Sequence, residues 1–390
     1  SACLSKGTST IENVVYSVDV QATLEAFSSL GVNINRDGSV ITIDSPGPTI
    51  LNQKIDVNCH ESGSTLRFLF PILSNDDYAY FKGNASLLSR PMKVYEEIFK
   101  SQNLKVIKEP KQWITKGRLS PGIYRVPGDI SSQFVSGLMF ILPILGGDST
   151  IEIVGDLESS EYVDLTINIL SLFGIKITKK GNSYFIQGNQ VYLPAHVISE
   201  IDYSQSAFFA VLGIINNDLD IYGLNLNSVQ PDRRIFSFIK DMKGNIDANI
   251  DCVRVKKSNT TASIIDVSQS PDIAPILAIL AAKSEGETKI INAKRLIIKE
   301  SNRLLSTYET LCRLGVETTL GDDWLSIKGP CNFKGGTFDS FNDHRIAMSI
   351  AIAATVADSN ITITNAEAVN KSYPDFYKDL QSLGAVIKYR

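Results

Sequence analysis

The sequence is poor in the residues that build metal and redox sites: three histidines and five cysteines among 390 residues. His60, His196 and His344 are scattered and no HExxH run occurs, so spacing suggests no set of metal ligands. Cys3, Cys59, Cys252, Cys312 and Cys331 are odd in number and never form a CxxC pair. That is the usage of a reduced, cytoplasmic protein, not of a disulfide scaffold. Neither GxGxxG nor a Gly-Lys dipeptide is present, which removes the Rossmann and P-loop phosphate signatures. Apolar runs such as "FFAVLGII" are far too short to span a bilayer. The net charge of −4 gives no electrostatic reason to expect nucleic acid.

What the sequence does contain is repetition. A helix-ending phrase recurs as "FSSLGVNI", "FKSQNLKV", "LSLFGIKI", "IKDMKGNI", "LCRLGVET" and "LQSLGAVI". Its Gly-like position falls at Gly31, Asn103, Gly174, Lys243, Gly315 and Gly384, with steps of 72, 71, 69, 72 and 69 residues. Gly or Asn there supplies a left-handed helix cap; Lys243 is unfavourable in that role, and the following Gly244 is the expected substitute. A hairpin follows each phrase, as in "VNINRDGSVITID". Upstream lie a strand and, before it, a more hydrophobic helix such as "PDIAPILAILAA". The predicted unit is therefore buried helix, strand, amphipathic helix, hairpin. "SACLSKG" aligns with "LAAKSEG", so the chain is expected to open on the last turn of a buried helix. The closing "AVIKYR" reads as one strand without its partner. About 20 to 30 residues are expected to precede Ser1, judged from usual element lengths.

The buried helices begin with polar clusters: "HESGSTLR", "DISSQ", "SQSPDI" and "FNDHRIAM". Plain capping by Ser and Asp would explain any one of them. Four together, two with added basic residues, point to anion binding at helix N-termini. Asp343, His344 and Arg345 are consecutive at the mouth of an apolar helix and fan out by about 100° per residue, as if lining a pocket. "KESNRL" adds Lys299, Glu300 and Arg303, a spacing that surface helices also show.

Together, "SSQF", "SPDIAP", "RLIIKESNRL", "NDHRIAM" and "NKSYPDF" resemble, in order and over nearly the whole chain, the signature runs of the 5-enolpyruvylshikimate-3-phosphate synthases. The resemblance implies an α/β (α+β) fold of the inside-out barrel type. Two globes, 1–197 and 198–390, would each hold three units, with a hinge near Pro194 that closes on substrate. It implies transfer of the enolpyruvyl group of phosphoenolpyruvate to shikimate 3-phosphate in the cytoplasm, by a monomer without cofactor, metal, membrane or nucleic-acid partner. Shikimate 3-phosphate would meet Ser131, Ser132, Gln133, Ser159, Tyr162, Asp272, Arg295 and Lys299. Phosphoenolpyruvate would meet Gly63, Arg90, Gln133, Arg303, Arg345 and Lys371. Asp272 would act as the base, with Glu300, His344 and Lys371 handling protons at the enol carbon. The family's N-terminal Lys-Ser…Arg run has no counterpart in this sequence, and Arg295 stands where many relatives have Asn.

Two other readings share part of this pattern. A UDP-N-acetylglucosamine enolpyruvyl transferase would resemble Asp-Leu-Arg where this chain has Asp343-His344-Arg345, and would place a reactive Cys where Ala85 stands. A non-catalytic anion-binding relative would keep the clusters without the chemistry. With Ala85 at that position, replacing each of the five cysteines singly by Ser or Ala should leave turnover in place. Complete loss from one replacement, with the fold intact by circular dichroism, would point instead to a nucleophilic thiol.

Overall fold

The computed structural model describes residues 1–155, 157, 160–249 and 252–389. The chain divides into two compact units, Ser1–Ser199 and Glu200–Arg390, each with its own apolar core. Among the described residues no helix is long and apolar enough to cross a membrane.

All six repeat ends behave alike. Gly31, Asn103, Gly174, Lys243, Gly315 and Gly384 have φ of 81°, 58°, 80°, 66°, 90° and 101°. Each terminates a helix, and the first five turn the chain into a following strand. The fourth departs from expectation, because Lys243 itself takes the left-handed conformation and Gly244 does not. Gly244 serves a different need: a Cβ there would fall within 2.9 Å of Ile239 O and 3.1 Å of Ile214 Cδ1. Close packing reserves the glycine, and the lysine carries the unfavourable φ.

In the first unit every sheet has four strands in one arrangement. A first strand runs parallel to a second, and a hairpin completes the sheet antiparallel to it. Ile55–Asn58 pairs with Tyr78–Lys82, which pairs with the hairpin Lys105–Glu109/Gln112–Lys116. Ile123–Pro127 stands likewise beside Ser149–Val154 and the hairpin Ile177–Lys180/Ser183–Ile186. In the remaining sheet the parallel position beside Lys6–Glu12 is filled by His196–Ile198, the strand that precedes the helix Tyr203–Ile215. The ladder matches Thr10 with His196 and Glu12 with Ile198.

This pairing sets the boundary between the units. Ser199 N–H donates to Glu12 O, and Asn13 Nδ2 donates to Ser199 O. The Glu200 carboxylate accepts from Asn225, Ser228 and Gln230. The division after Ser199 is two residues later than the sequence reading drew it, because the strand His196–Ile198 still belongs to the first sheet. Pro194 lies inside the first unit, where its ring would crowd a Cβ at Gly7.

In the second unit Ile264–Asp266, Gly286–Ile291, Leu325–Gly329 and Glu317–Leu320 repeat the four-stranded order. The other two sheets have three and two strands among the described residues. At the ends of the chain, Ala2–Leu4 form a buried 3-10 turn. Residues 385–389 form no strand, in contrast to the sequence reading, having no ladder partner among the described residues.

The hydrophobic helices occupy the cores. Ala274–Lys283 is buried at every position from Ala274 to Ala282, as a helix apolar on all sides must be. The first core is tied by Tyr95, whose hydroxyl donates to Arg67 O at 2.7 Å and reaches Phe134 O at 3.2 Å. It bridges the helices Gly63–Ile72 and Ser132–Ile141 where they approach across Gly137. A Cβ on Gly137 would strike that hydroxyl and lie 2.6 Å from Arg67 O. Gly137→Ala should therefore lower unfolding stability by roughly 1–3 kcal/mol. Denaturant titration measures this, and an unchanged midpoint would mean that the two helices separate at no cost.

Candidate active site

Each unit gathers polar side chains where its hydrophobic helices begin. In the first unit Ser62 caps the helix Gly63–Ile72, accepting from Thr65 N–H, and Ser131 caps Ser132–Ile141. These caps put Gly63, Ser132 and Gln133 in first turns, near exposed N–H groups. Arg67, one turn beyond Gly63, donates through Nη1 to Gln133 Oε1 at 2.8 Å and lies over the Phe134 ring. Arg90 ends the short helix Ala85–Ser89, and its Nη1 would lie 2.5 Å from any Cβ at residue 63. A side chain at 63 and this placement of Arg90 exclude one another. Tyr162 stands half-buried in the first turn of Ser160–Leu172; Ser159 lies outside the described residues.

The second unit is more densely charged. Arg303 is 1% exposed, and its guanidinium serves three carboxylates. Nε donates to Asp343 Oδ2 at 2.9 Å, Nη2 to Asp343 Oδ1 at 3.1 Å, and Nη1 to Asp272 Oδ1 at 2.8 Å. Nη2 also pairs with Glu300. Lys299 Nζ lies 2.9 Å from Asp272 Oδ1, and Arg345 Nη2 lies 3.7 Å from Asp272 Oδ2. Asp343 also caps the helix His344–Ala354 by accepting from Arg345 N–H. Arg295 is buried in the 3-10 turn Lys294–Ile298, close enough to Lys299 to oppose its charge. Lys371 is buried and donates to Asn342 O at 2.6 Å.

Electrostatics follow from this crowding. Burial by itself would raise the Asp272 carboxyl, but Lys299, Arg345 and Arg303 outweigh it and hold the group well below the ordinary carboxylate range. Asp343 is lowered in the same way, with burial opposing and Arg303 prevailing. Burial pulls the Lys299 ammonium down, partly countered by Asp272. His344 is driven down to about 4 by burial, with Arg345 adding to the shift, so its imidazole is neutral at pH 7. Among the described residues, Arg345 Nη1 and His344 Nδ1 are buried nitrogens at this helix start with no hydrogen-bond partner. A buried guanidinium N–H in this position is suited to an incoming anion.

Comparison with known proteins places the chain in a family. The family model for EPSP synthase (3-phosphoshikimate 1-carboxyvinyltransferase) matches residues 1–380. The chain belongs to the EPSP synthase family. Among curated relatives, the 3-phosphoshikimate 1-carboxyvinyltransferase of Clostridium kluyveri is 45% identical, across 99% of this chain and 91% of the relative. That of Clostridium acetobutylicum is 44% identical, across 98% and 91%. The structure of EPSP synthase from Acinetobacter baumannii superposes with a TM-score of 0.82 at 25% identity, over 99% of this chain and 92% of that one. The enolpyruvyl transferase NikO from Streptomyces tendae shares the fold alone, with a TM-score of 0.79 at 20% identity over 99% and 91%. The family's α/β architecture is thus the one that the repeats implied.

Of the residues expected from the family's motifs, Gly63, Ser131, Ser132 and Gln133 stand at helix starts in the first unit, and the Arg90 side chain reaches Gly63 from the end of Ala85–Ser89. Asp272, Arg295, Lys299, Glu300, Arg303, His344, Arg345 and Lys371 stand in the second. The sequence reading gave no role to Arg67, although its spacing of four from Gly63 places it on the same helix face. It placed Asp343 with His344 and Arg345 in the lining of a pocket and did not foresee the pairing with Arg303. Glu300 and Arg303, readable as a surface pair, are instead a charged pair whose arginine is buried.

His344 gives the unit a measurable response to acid. Its pKa is depressed in the folded protein, so the unfolded chain binds this proton first and stability falls as pH drops from about 6.5 towards 4. The loss should reach roughly 2–3 kcal/mol by pH 4. The lowered carboxylates Asp272 and Asp343 add their own loss only at still lower pH. In His344→Gln the decline between pH 6.5 and 4 should flatten. An unchanged slope in urea titrations across that range would show that His344 is readily protonated in the fold.

Proposed function

We propose that this chain transfers the enolpyruvyl group of phosphoenolpyruvate to the 5-hydroxyl of shikimate 3-phosphate and releases phosphate. The observation that carries the reading is the setting of Asp272: an ionised carboxylate contacted by Lys299, Arg303 and Arg345, with its side chain still 20% exposed. Together the two substrates carry roughly six negative charges, taking phosphate near −2. Cations that now face Asp272 would turn to those anions. As Lys299 and Arg345 are drawn to substrate, Asp272 loses stabilisation of its charged form and becomes a stronger base. Burial lets this happen without bulk water screening the change.

Shikimate 3-phosphate is proposed to meet Ser131, Ser132, Gln133, Tyr162, Asp272, Arg295 and Lys299, and also Ser159. Phosphoenolpyruvate is proposed to meet Gly63, Arg90, Gln133, Arg303, Arg345 and Lys371. Asp272 takes the proton of the 5-hydroxyl as its oxygen bonds to the central carbon of phosphoenolpyruvate. A proton adds to the methylene carbon, with Glu300, His344 and Lys371 as the groups near that transfer. The product of this addition is a tetrahedral intermediate. Elimination removes a proton from the new methyl group, re-forms the double bond and breaks the carbon–oxygen bond to phosphate, which leaves with the electron pair. Neutral His344 can accept a proton at this stage, and the arginines stabilise the phosphate as it departs. The five free cysteines accord with a cytoplasmic enzyme.

Phosphate release from phosphoenolpyruvate should depend on added shikimate 3-phosphate. Release that needs UDP-N-acetylglucosamine instead, or none with either acceptor, would replace this reading with one of the two others. In the active protein, Asp272→Asn should lower turnover at least about 100-fold, the scale of general-base loss, while weakening shikimate 3-phosphate binding much less. Turnover above a tenth of the parent value would remove Asp272 from the role of base.

A further inference from the structure

The Arg345 guanidinium is held from behind by a chain of polar groups in the helix Tyr203–Ile215, which the proposed reaction leaves without a role. Arg345 Nη2 donates to Ser204 Oγ at 3.0 Å. Arginine has no acceptor, so the serine oxygen must receive this bond and its own proton must go elsewhere. It goes to Asp202 Oδ1, 2.7 Å away, the same oxygen that accepts Ser204 N–H as the helix cap. Ser204 is 3% exposed and Arg345 7%, so water has little access to replace either partner. Donor direction along Arg345, Ser204 and Asp202 is therefore fixed by chemistry at every step.

The geometry points to Ser204 as a positioning residue for Arg345, with Asp202 as its anchor. Fixing Nη2 sets the plane of a rigid, planar guanidinium. Nη1, which is buried and has no hydrogen-bond partner among the described residues, is then left for the anion. Asp272 Oδ2, 3.7 Å from Nη2, is too distant to hold the plane alone. A guanidinium oriented before substrate arrives loses less freedom on binding and takes a carboxylate bidentately. The inference rests on the reading that Arg345 binds phosphoenolpyruvate. It assigns Ser204 no contact with substrate, so loss of its hydroxyl should appear in binding of that substrate and not in the chemical step.

The test is steady-state kinetics of Ser204→Ala and Ser204→Cys, the second keeping nearly the serine volume without a strong acceptor. Both should raise KM for phosphoenolpyruvate about five-fold or more, leaving kcat within two-fold and KM for shikimate 3-phosphate unchanged. In an Arg345→Lys background the serine substitutions should add almost nothing, because groups that act through one another are not additive. A variant that melts at the parent temperature with an unchanged KM for phosphoenolpyruvate would overturn the inference. So would full additivity with Arg345→Lys. The outcomes separate the two claims. If Arg345→Lys itself leaves that KM unchanged, the assignment of Arg345 fails. If Arg345→Lys raises it and Ser204→Cys does not, only the role of Ser204 fails.

Discussion

The charged end of the second unit depends on one guanidinium. Arg303 holds together the start of the helix His344–Ala354 through Asp343, the turn Pro271–Ile273 through Asp272, and its own first turn through Glu300. Burying such a cluster is a poor way to gain stability, since desolvation offsets most of the Coulomb attraction. Its value lies in arrangement. Lys299, Arg303 and Arg345 all face Asp272, and Arg303 also serves Glu300 and Asp343, so each of these carboxylates is satisfied. A site of this kind is ordered before any anion arrives. Little reorganisation is then left for the moment when charge moves.

The two clusters solve one problem with different materials. The first unit combines helix starts and neutral side chains, Ser131, Ser132 and Gln133, with two arginines, Arg67 fixing the glutamine and Arg90 beside Gly63. The second relies on ionised side chains whose charges are mutually tuned. The same repeat underlies both, since each apolar helix must begin somewhere and its first N–H groups need partners. What distinguishes the copies is the residue at the cap. Asp343 does double duty there, starting the helix and orienting Arg303.

Much of the fold was legible because its signals are local. Glycine or asparagine at five of the six caps announces a left-handed residue, and alternation around short turns announces the hairpins. Lys243 escaped this logic because its φ is imposed by the tight packing of Gly244 against Ile239, a tertiary matter. The site was legible as runs of polar residues at helix starts, and the family's motifs singled out most members. Partners were not legible. Arg303 and Asp343 are 40 residues apart, and nothing in the spacing of Glu300 and Arg303 distinguishes a buried pair from a solvated one. Arg345 could be read as a cation, but the Ser204 behind it comes from a helix 141 residues earlier. Sequence displays the chemistry of a side chain more readily than what holds it still.

The strand His196–Ile198 also bears on how the chain is made. It completes the sheet begun at Lys6–Glu12, with 186 residues between Thr10 and His196. On the ribosome, the opening sheet stays unfinished until the third repeat has emerged. At synthesis rates of about 5–20 residues per second, that wait lasts on the order of ten seconds or more. The entropy of closing so long a loop grows only slowly with its length, so the delay is chiefly one of timing. Meanwhile the edge of Lys6–Glu12 has an open row of backbone donors and acceptors, the kind of edge on which other chains can pair. The shared strand thus ties completion of the first repeat to the end of the third, within one common core.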